Sequence, residues 1–133
     1  MVDSAVIVAS FLEGEPNHQR GREIISGLET GEYELHLPTI VVVEVSSAIR
    51  RQSAHRWRSL LTFWNRTILD WKRNGKRVLY PLDRTRMELA AAVARRHRLR
   101  GADSVIAALS EELNIPLKTF DREILARFPL ASS

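Results

Sequence analysis

Two aspartates near the carboxyl end of the chain are well placed to do chemistry together. Asp103 falls in the first turn of a helix that apolar spacing predicts, and Asp121 directly follows a short apolar segment that predicts a strand. In a parallel α/β sheet, residues just past the strand ends gather in one crevice at the carboxyl edge, where ligands bind. We therefore expect the two carboxylates to lie close together, although eighteen positions separate them.

Two further aspartates, Asp3 and Asp83, also stand where helices are predicted to begin. A carboxylate in that position accepts hydrogen bonds from free backbone N–H groups and opposes the helix dipole, which contributes about 0.5 to 2 kcal/mol. For each of the four aspartates taken alone, capping is the simpler explanation. Glu44 is different, because it lies inside a predicted helix among valines, where an unpaired carboxylate costs roughly several kcal/mol.

The types of side chain present restrict the kind of metal site that the chain can form. Cysteine is absent, so carboxylates and four histidines are the strong side-chain ligands. The histidines lack H-x-x-x-H or similar spacing, and the sequence has no P-loop, no G-x-G-x-x-G motif and no nucleophile elbow. Carboxylates gathered from several strand ends instead suit hard divalent cations such as Mg²⁺ or Mn²⁺.

Strands that alternate with pairs of helices must position these acids. The predicted order is β-α-α-β-α-α-β-α-α-β-α, which connection rules turn into an α/β fold with a mostly parallel sheet and helices on both faces. The length suits a single domain over residues 1–133. The predicted strands lie at residues 1–2, 34–38, 78–82 and 115–120.

One segment is ambiguous by propensity alone. Residues 40–43 are four consecutive β-branched residues, which favours a strand, yet apolar residues recur four apart through this segment and beyond it. We predict a helix that begins at about Thr39, with Thr39 as its N-cap. A second helix is predicted from Pro16, and a long one over residues 53–73.

Charge is distributed unevenly along the chain, whose net charge is +4. Residues 1–34 hold seven acidic and two basic residues, a local charge of −5, whereas residues 50–77 hold nine Lys or Arg against Asp70 alone, a local charge of +8. The basic segment indicates a polyanion or an acidic protein as partner, and a solvated helix face explains it equally well. Its tryptophans lie beside arginines and could stack on exposed bases, but their helical spacing favours core or dimer packing.

Membrane insertion and secretion are not expected from this sequence. No apolar run approaches the roughly 18 residues that a membrane helix needs. The opening segment is apolar, but it lacks a basic leader and carries Asp3, which argues against a secretory signal. We therefore expect a cytoplasmic protein.

Six segments of the chain, taken together and in order, match a known family. They are VDSAVIVA at the start, EPNHQR, LPTIVVVEVSSAIRR, VLYPLD, RLRGADSVIAAL and LKTFDREI near the end, and they span nearly the full length. With them the chain resembles a PIN domain, and more closely the VapC-type ribonuclease toxins of toxin–antitoxin pairs. The resemblance implies a three-layer α/β/α fold with a mostly parallel four- to five-stranded sheet. It also implies an endoribonuclease that depends on Mg²⁺ or Mn²⁺, forms a homodimer and is held inactive by a cognate antitoxin.

The resemblance also implies which acids bind the metal and catalyse the reaction. Asp3 matches the family's first acid after strand one, and Glu44 matches the glutamate of the helix after strand two. Asp103 is similar to the acid of the family's G-A-D motif. Asp121 is similar to the aspartate of its T-x-D motif, with Thr119 as the accompanying hydroxyl.

Other positions complete this set of expectations. Asp83 matches a common family position too, but we expect it to remain a helix cap. Ala5 stands where many relatives carry a polar side chain, which leaves Ser4 as the only nearby hydroxyl to support Asp3. The candidates for binding RNA phosphates, each near a predicted strand end, are Arg84, Arg100 and Arg122.

Two other functions remain open at this point. A non-catalytic module would use the same fold to bind nucleic acid or an acidic protein through residues 50–77, with binding that weakens with salt and no cleavage with Mn²⁺. A receiver-like phosphoacceptor domain also places acids at strand ends with Mg²⁺. Against the receiver, the first predicted strand ends in Asp3 alone rather than an acid pair, and no acid follows the central strand.

Overall fold

Short parallel strands separated by helices carry the chain in the predicted order. The structure, a computed structural model, describes residues 1–133. None of its helices combines the length and apolar composition needed to cross a membrane. The helices are α1 (Ser4–Phe11), α2 (His18–Thr30), α3 (Thr39–Gln52), α4 (Trp57–Arg73), α5 (Arg84–His97), α6 (Gly101–Leu113) and α7 (Arg122–Arg127), and the strands are β1 (Leu35–Pro38), β2 (Arg77–Tyr80), β3 (Leu117–Lys118) and β4 (Ala131–Ser132).

The strands pair in parallel, as predicted, but they form two sheets rather than one. Strand β1 pairs with β2, with Leu35 opposite Arg77, and β3 pairs with β4. The predicted first strand is reduced to a single parallel bridge between Val2 and Lys118. Strands of two residues form few ladder hydrogen bonds, and Pro116 has no N–H to extend β3 at its start. The prediction of parallel strands is therefore confirmed. The prediction that four or five of them form one continuous sheet is wrong, because the strands divide into two pairs.

Helix α3 confirms the choice of a helix for the ambiguous β-branched segment. Val41, Val45 and Ile49 are fully buried on one of its faces, where they join the hydrophobic core. Burial of this stripe outweighs the modest helix propensity of valine and isoleucine, because each buried side chain contributes about 1.5 to 3 kcal/mol. The helix begins at Thr39 as predicted, but Pro38 and not Thr39 occupies the N-cap position.

Some predicted boundaries differ from those of the structure. Helix α2 begins at His18 rather than Pro16, because a turn with a hydrogen bond from the N–H of His18 to the carbonyl of Glu15 precedes it. Helix α4 begins at Trp57, four residues later than predicted. Strand β4 was not predicted, because two residues are too few to show an alternating pattern.

Asp83 lies at the N-cap of α5, as predicted, and its carboxylate accepts a hydrogen bond from the N–H of Arg86 at 2.9 Å. We expect Asp83→Ala to lower the free energy of unfolding by about 1 kcal/mol, because an orphan N–H loses its partner. Asp83→Asn is the matched control, since asparagine caps as well as aspartate. Urea denaturation of both variants measures the difference. Equal stability of the two variants would contradict the capping role.

Candidate active site

Asp3 is the most deeply buried acid of the chain, with 6% of its surface exposed. It occupies the N-cap position of α1, yet its side chain makes no capping hydrogen bond. One carboxylate oxygen instead accepts a hydrogen bond from Thr119 Oγ1 at 2.8 Å, and the other accepts one from Ser4 Oγ at 3.3 Å. Capping therefore does not explain Asp3, and the two predicted supporting hydroxyls both contact it.

The buried position of Asp3 shifts its titration. Burial raises the pKa of Asp3, and the negative charge of Asp121 raises it further. The hydrogen bonds from Thr119 and Ser4 act in the opposite direction, because they stabilise the charged carboxylate. The buried Asp3 carboxylate is thus held by two hydroxyl donors rather than by an ion pair.

Glu44 lies in the second turn of α3 and is half-buried, as the valines around it predicted. Burial raises the pKa of Glu44, and the charges of Asp3 and Asp103 add to that effect. The nearby hydroxyl of Ser4 and the positive charge of Arg51 partly offset it. Glu44 therefore faces two of the aspartates, across the space between α3 and the starts of α1 and α6.

Asp103 lies in the first turn of α6, where the sequence placed it. Burial, followed by the charges of Asp3 and Asp121, raises the pKa of Asp103 to about 6. Arg100 acts in the opposite direction, and Glu123 adds to the rise. A carboxyl group with this pKa holds its proton part of the time near neutral pH, because neighbouring acids disfavour its ionisation.

Asp121 has both a structural and an electrostatic role. It is the N-cap of α7, and its carboxylate accepts hydrogen bonds from the N–H groups of Glu123 at 2.7 Å and Ile124 at 3.1 Å. Its own N–H donates to Thr119 Oγ1 at 3.0 Å. Because its charge also raises the pKa of Asp3 and Asp103, capping alone does not describe Asp121.

The structure therefore brings the four acids named by the resemblance into one electrostatic cluster, hereafter the acid cluster: Asp3, Glu44, Asp103 and Asp121. Asp83 is not among the main charges that shift these pKa values, and its carboxylate instead caps α5. The donors are all carboxylate oxygens, which suits a hard divalent cation. In the side-chain positions of this structure, however, no three His, Asp or Glu side chains are close enough to hold one metal ion.

The three arginines expected to bind phosphates differ in their positions. Arg100 lies beside the acid cluster, where its charge lowers the pKa of Asp103 and its guanidinium pairs with Glu123 at 3.1 Å. Arg122 is exposed on the first turn of α7, next to Asp121. Arg84 is exposed on α5 and pairs with Glu88 at 3.2 Å, and its charge does not shift the acids.

Two charged residues near the acids were missed from the sequence. Arg51 lies seven residues after Glu44 on α3, and two helical turns place both on one face. Glu123 lies two residues after Asp121 in the first turn of α7. Their spacing from the predicted acids was the available signal in both cases.

Comparisons with known proteins give the family of this chain. The model of the family described as "PIN domain" matches residues 1–129. A toxin–antitoxin complex from Klebsiella pneumoniae is similar in structure, with a TM-score of 0.68 and 16% identity, over 99% of this chain and 94% of that one. VapBC2 from Rickettsia felis, bound to a DNA fragment from its promoter, matches with a TM-score of 0.61 and 13% identity, over 98% and 93% of the two chains.

The comparison with curated proteins finds no significant match. At 16% and 13% identity, the two solved structures support the fold alone. The family match covers nearly the whole chain, in agreement with the parallel strands and helical crossovers described above. The chain belongs to the PIN domain family.

Proposed function

We propose that the protein is an endoribonuclease that depends on Mg²⁺ or Mn²⁺ and hydrolyses RNA phosphodiester bonds. The observation that carries this proposal is the mutual repulsion within the acid cluster, whose members come from four different helix starts or turns. Acids gathered in this way destabilise the fold unless a cation binds among them. Membership of the PIN domain family supports the same conclusion.

The cluster offers the ligands that such a cation needs. Asp3, Glu44, Asp103 and Asp121 would hold it directly or through water, because all four supply hard oxygen donors. A bound divalent cation supplies an activated water for attack on phosphorus and stabilises charge on the leaving oxygen. Movement of a few side chains is required first, since the present positions do not form a metal site.

Neighbouring residues have positioning and binding roles in this proposal. Thr119 and Ser4 orient the Asp3 carboxylate through their hydrogen bonds, which favour its charged form and partly offset the effect of burial on its pKa. Arg100 lies beside Asp103 and is exposed, so it can exchange Glu123 for an RNA phosphate. Arg122 can bind the same backbone from α7, and Arg84 from the start of α5, farther along the surface.

The same proposal includes the arrangement of the whole domain. The three-layer α/β/α arrangement is part of this proposal, with the parallel pairs β1–β2 and β3–β4 between the helical layers. Residues 1–133 then form a single nuclease domain. Most of the basic side chains in the segment 50–77 are exposed on α3, α4 and the turns that join and follow them.

We further propose that the protein is a VapC-type toxin that acts in the cytoplasm, forms a homodimer and is inhibited by a cognate antitoxin. Support comes from the two solved relatives, one a toxin–antitoxin complex and the other VapBC2 with promoter DNA. An antitoxin can inhibit such an enzyme by inserting a basic side chain among the acids or by covering an apolar groove.

Removal of one acid tests the nuclease directly. We expect Asp103→Asn to abolish Mn²⁺-dependent cleavage of single-stranded RNA, because the cluster loses a charged ligand while the side-chain volume is retained. Asp83→Asn is the matched control, since it makes the same change outside the cluster and should cleave at the wild-type rate. Full activity of Asp103→Asn, or RNA binding by the wild type without any cleavage, would refute the assignment and favour the non-catalytic module.

The repulsion among the acids also predicts a dependence of stability on pH. The pKa of Asp103 is about 6 in the folded protein, against about 4 in the unfolded chain. The folded state therefore binds this proton more tightly, so stability without metal should fall as pH rises from about 4 to about 6. Thermal unfolding in EDTA across this range measures the effect.

Asp103→Asn should flatten that pH dependence and raise the unfolding midpoint at pH 7.5 in EDTA by about 3 °C. Mn²⁺ should stabilise the wild type more than the variant, because binding to the folded state adds to its stability. The proposal of a cation among the acids fails if Mn²⁺ shifts neither protein, or both equally.

Expression in a bacterial host tests the role as a toxin. We expect wild-type protein to arrest growth and Asp3→Ala to relieve the arrest, because Asp3 lies at the centre of the acid cluster. Immunoblotting of the soluble fraction must show equal amounts of the two proteins. Normal growth with soluble wild-type protein would argue against toxicity without touching the nuclease assignment.

A further inference from the structure

A cavity of about 230 Å³ lies between α1 and α3, beside the acid cluster. Its floor consists of small apolar residues of these two helices, and its walls carry polar and aromatic side chains. Ser4 and Phe120 line it at the end near the acids. Arg51, Gln52 and Asn17 line it farther along α3 and before α2.

The cavity and the acid cluster share residues, so a ligand can extend from one to the other. Ser4 lines the cavity and donates a hydrogen bond to Asp3. Phe120 stands between Thr119, which also contacts Asp3, and Asp121. Arg51 lines the cavity and lies close enough to Glu44 for its charge to act on that acid.

The lining residues suit a nucleobase and its phosphate. Phe120 offers a half-buried aromatic ring, on which any base can stack. Gln52, Asn17 and Glu15 offer amide donors and oxygen acceptors for a base edge. The exposed guanidinium of Arg51 suits a phosphate oxygen. The volume lies below the roughly 300 to 1,000 Å³ of pockets for drug-sized ligands, which agrees with a single base.

The surface beyond the cavity suits a nucleic-acid strand better than an acidic peptide. The guanidinium groups of Arg50 and Arg58 lie 4.7 and 5.1 Å from the ring centre of Trp57, at the junction of α3 and α4. Positive charge combined with an aromatic ring is typical of surfaces that follow single strands. Glu15 and the nearby Glu44 repel the side chains of an acidic peptide, whereas a base edge can donate hydrogen bonds to a carboxylate.

We propose that this cavity is a nucleotide subsite, which receives the base next to the scissile phosphodiester of single-stranded RNA. The base stacks on Phe120, and Arg51 binds the phosphate on the far side of that nucleotide. The inference rests on the proposed ribonuclease activity and names the part of the substrate that the enzyme holds beside the bond. It makes Phe120 and Arg51 binding residues that determine where along the RNA cleavage occurs.

The first experiment measures the role of Arg51 in the absence of cleavage. Binding of a fluorescently labelled single-stranded RNA is followed by anisotropy in EDTA for the wild type, Arg51→Gln and Arg66→Gln. Arg66 is the matched control, because it is exposed on α4 outside the cavity and its substitution removes the same charge. We expect a five- to tenfold weaker Kd for Arg51→Gln and less than a twofold change for Arg66→Gln. The slope of log Kd against log salt should fall by about 0.7 for Arg51→Gln.

The second experiment locates the stacked base. A set of RNAs, each with one abasic nucleotide, is bound to the wild type and to Phe120→Leu. One position next to the cleavage site should cost the wild type about fivefold or more in Kd, the lower end of what base–aromatic stacking contributes. That penalty should disappear in Phe120→Leu. The variant has no ring on which the base can stack, so removal of the base costs no further binding energy. If the variant does not fold, the wild-type series and Arg51→Gln still test the proposal.

The outcomes separate this inference from the proposed function. Equal weakening by Arg51→Gln and Arg66→Gln, or no sensitive position in the abasic series, would overturn the subsite, even if the wild type cleaves RNA with Mn²⁺. In that case the cavity is free for another ligand, such as an antitoxin peptide. Absence of cleavage together with the expected binding losses would refute the nuclease and leave the cavity as a nucleotide-binding site.

Discussion

The hydrogen bond from Thr119 to Asp3 is the contact on which the arrangement of the acids depends. It joins residues 116 positions apart, and the backbone bonds of Asp3 and Lys118 align the two segments. The same hydroxyl accepts the N–H of Asp121, so its single proton is directed at Asp3. One buried side chain thereby connects the first acid of the cluster to the last. Without that donor, the buried Asp3 carboxylate would lose its shortest polar contact.

The acids stay close to one another despite their repulsion, because a different element of the fold holds each of them in place. Glu44 is fixed by the buried stripe of α3, Asp103 by the first turn of α6, and Asp121 by its own capping bonds. A rotation of one side chain therefore cannot separate all of the charges. The apolar core holds these elements together, and the charges of Arg100 and Arg51 offset part of the repulsion. Stability without metal and the proposed binding of a cation thus place opposite demands on the acid cluster.

Much of this arrangement was predictable, because it depends on local patterns. Asp83 and Asp121 cap helices as their positions before apolar runs indicated, and Glu44 was recognised as an acid without a structural explanation. The division of the strands into two sheets was not predictable, because strand pairing is a non-local property. The spacing of Arg51 and Glu123 could have placed them near the acids, but the size of their effects on the pKa values depends on side-chain directions that the sequence does not give.

Helix α3 holds one acid of the cluster and one candidate phosphate-binding residue in fixed positions relative to each other. Glu44 and Arg51 are separated by seven residues, which is about 10 Å along the axis and nearly the same face. The rigid helix therefore fixes the distance between the Glu44 carboxylate and the Arg51 guanidinium, which is the group proposed to bind a phosphate. A loop would allow that distance to vary, and small errors of position are costly for in-line chemistry. In the proposed nuclease, burial of Val41, Val45 and Ile49 would serve substrate binding as well as stability, because it orients Glu44 and Arg51 at once.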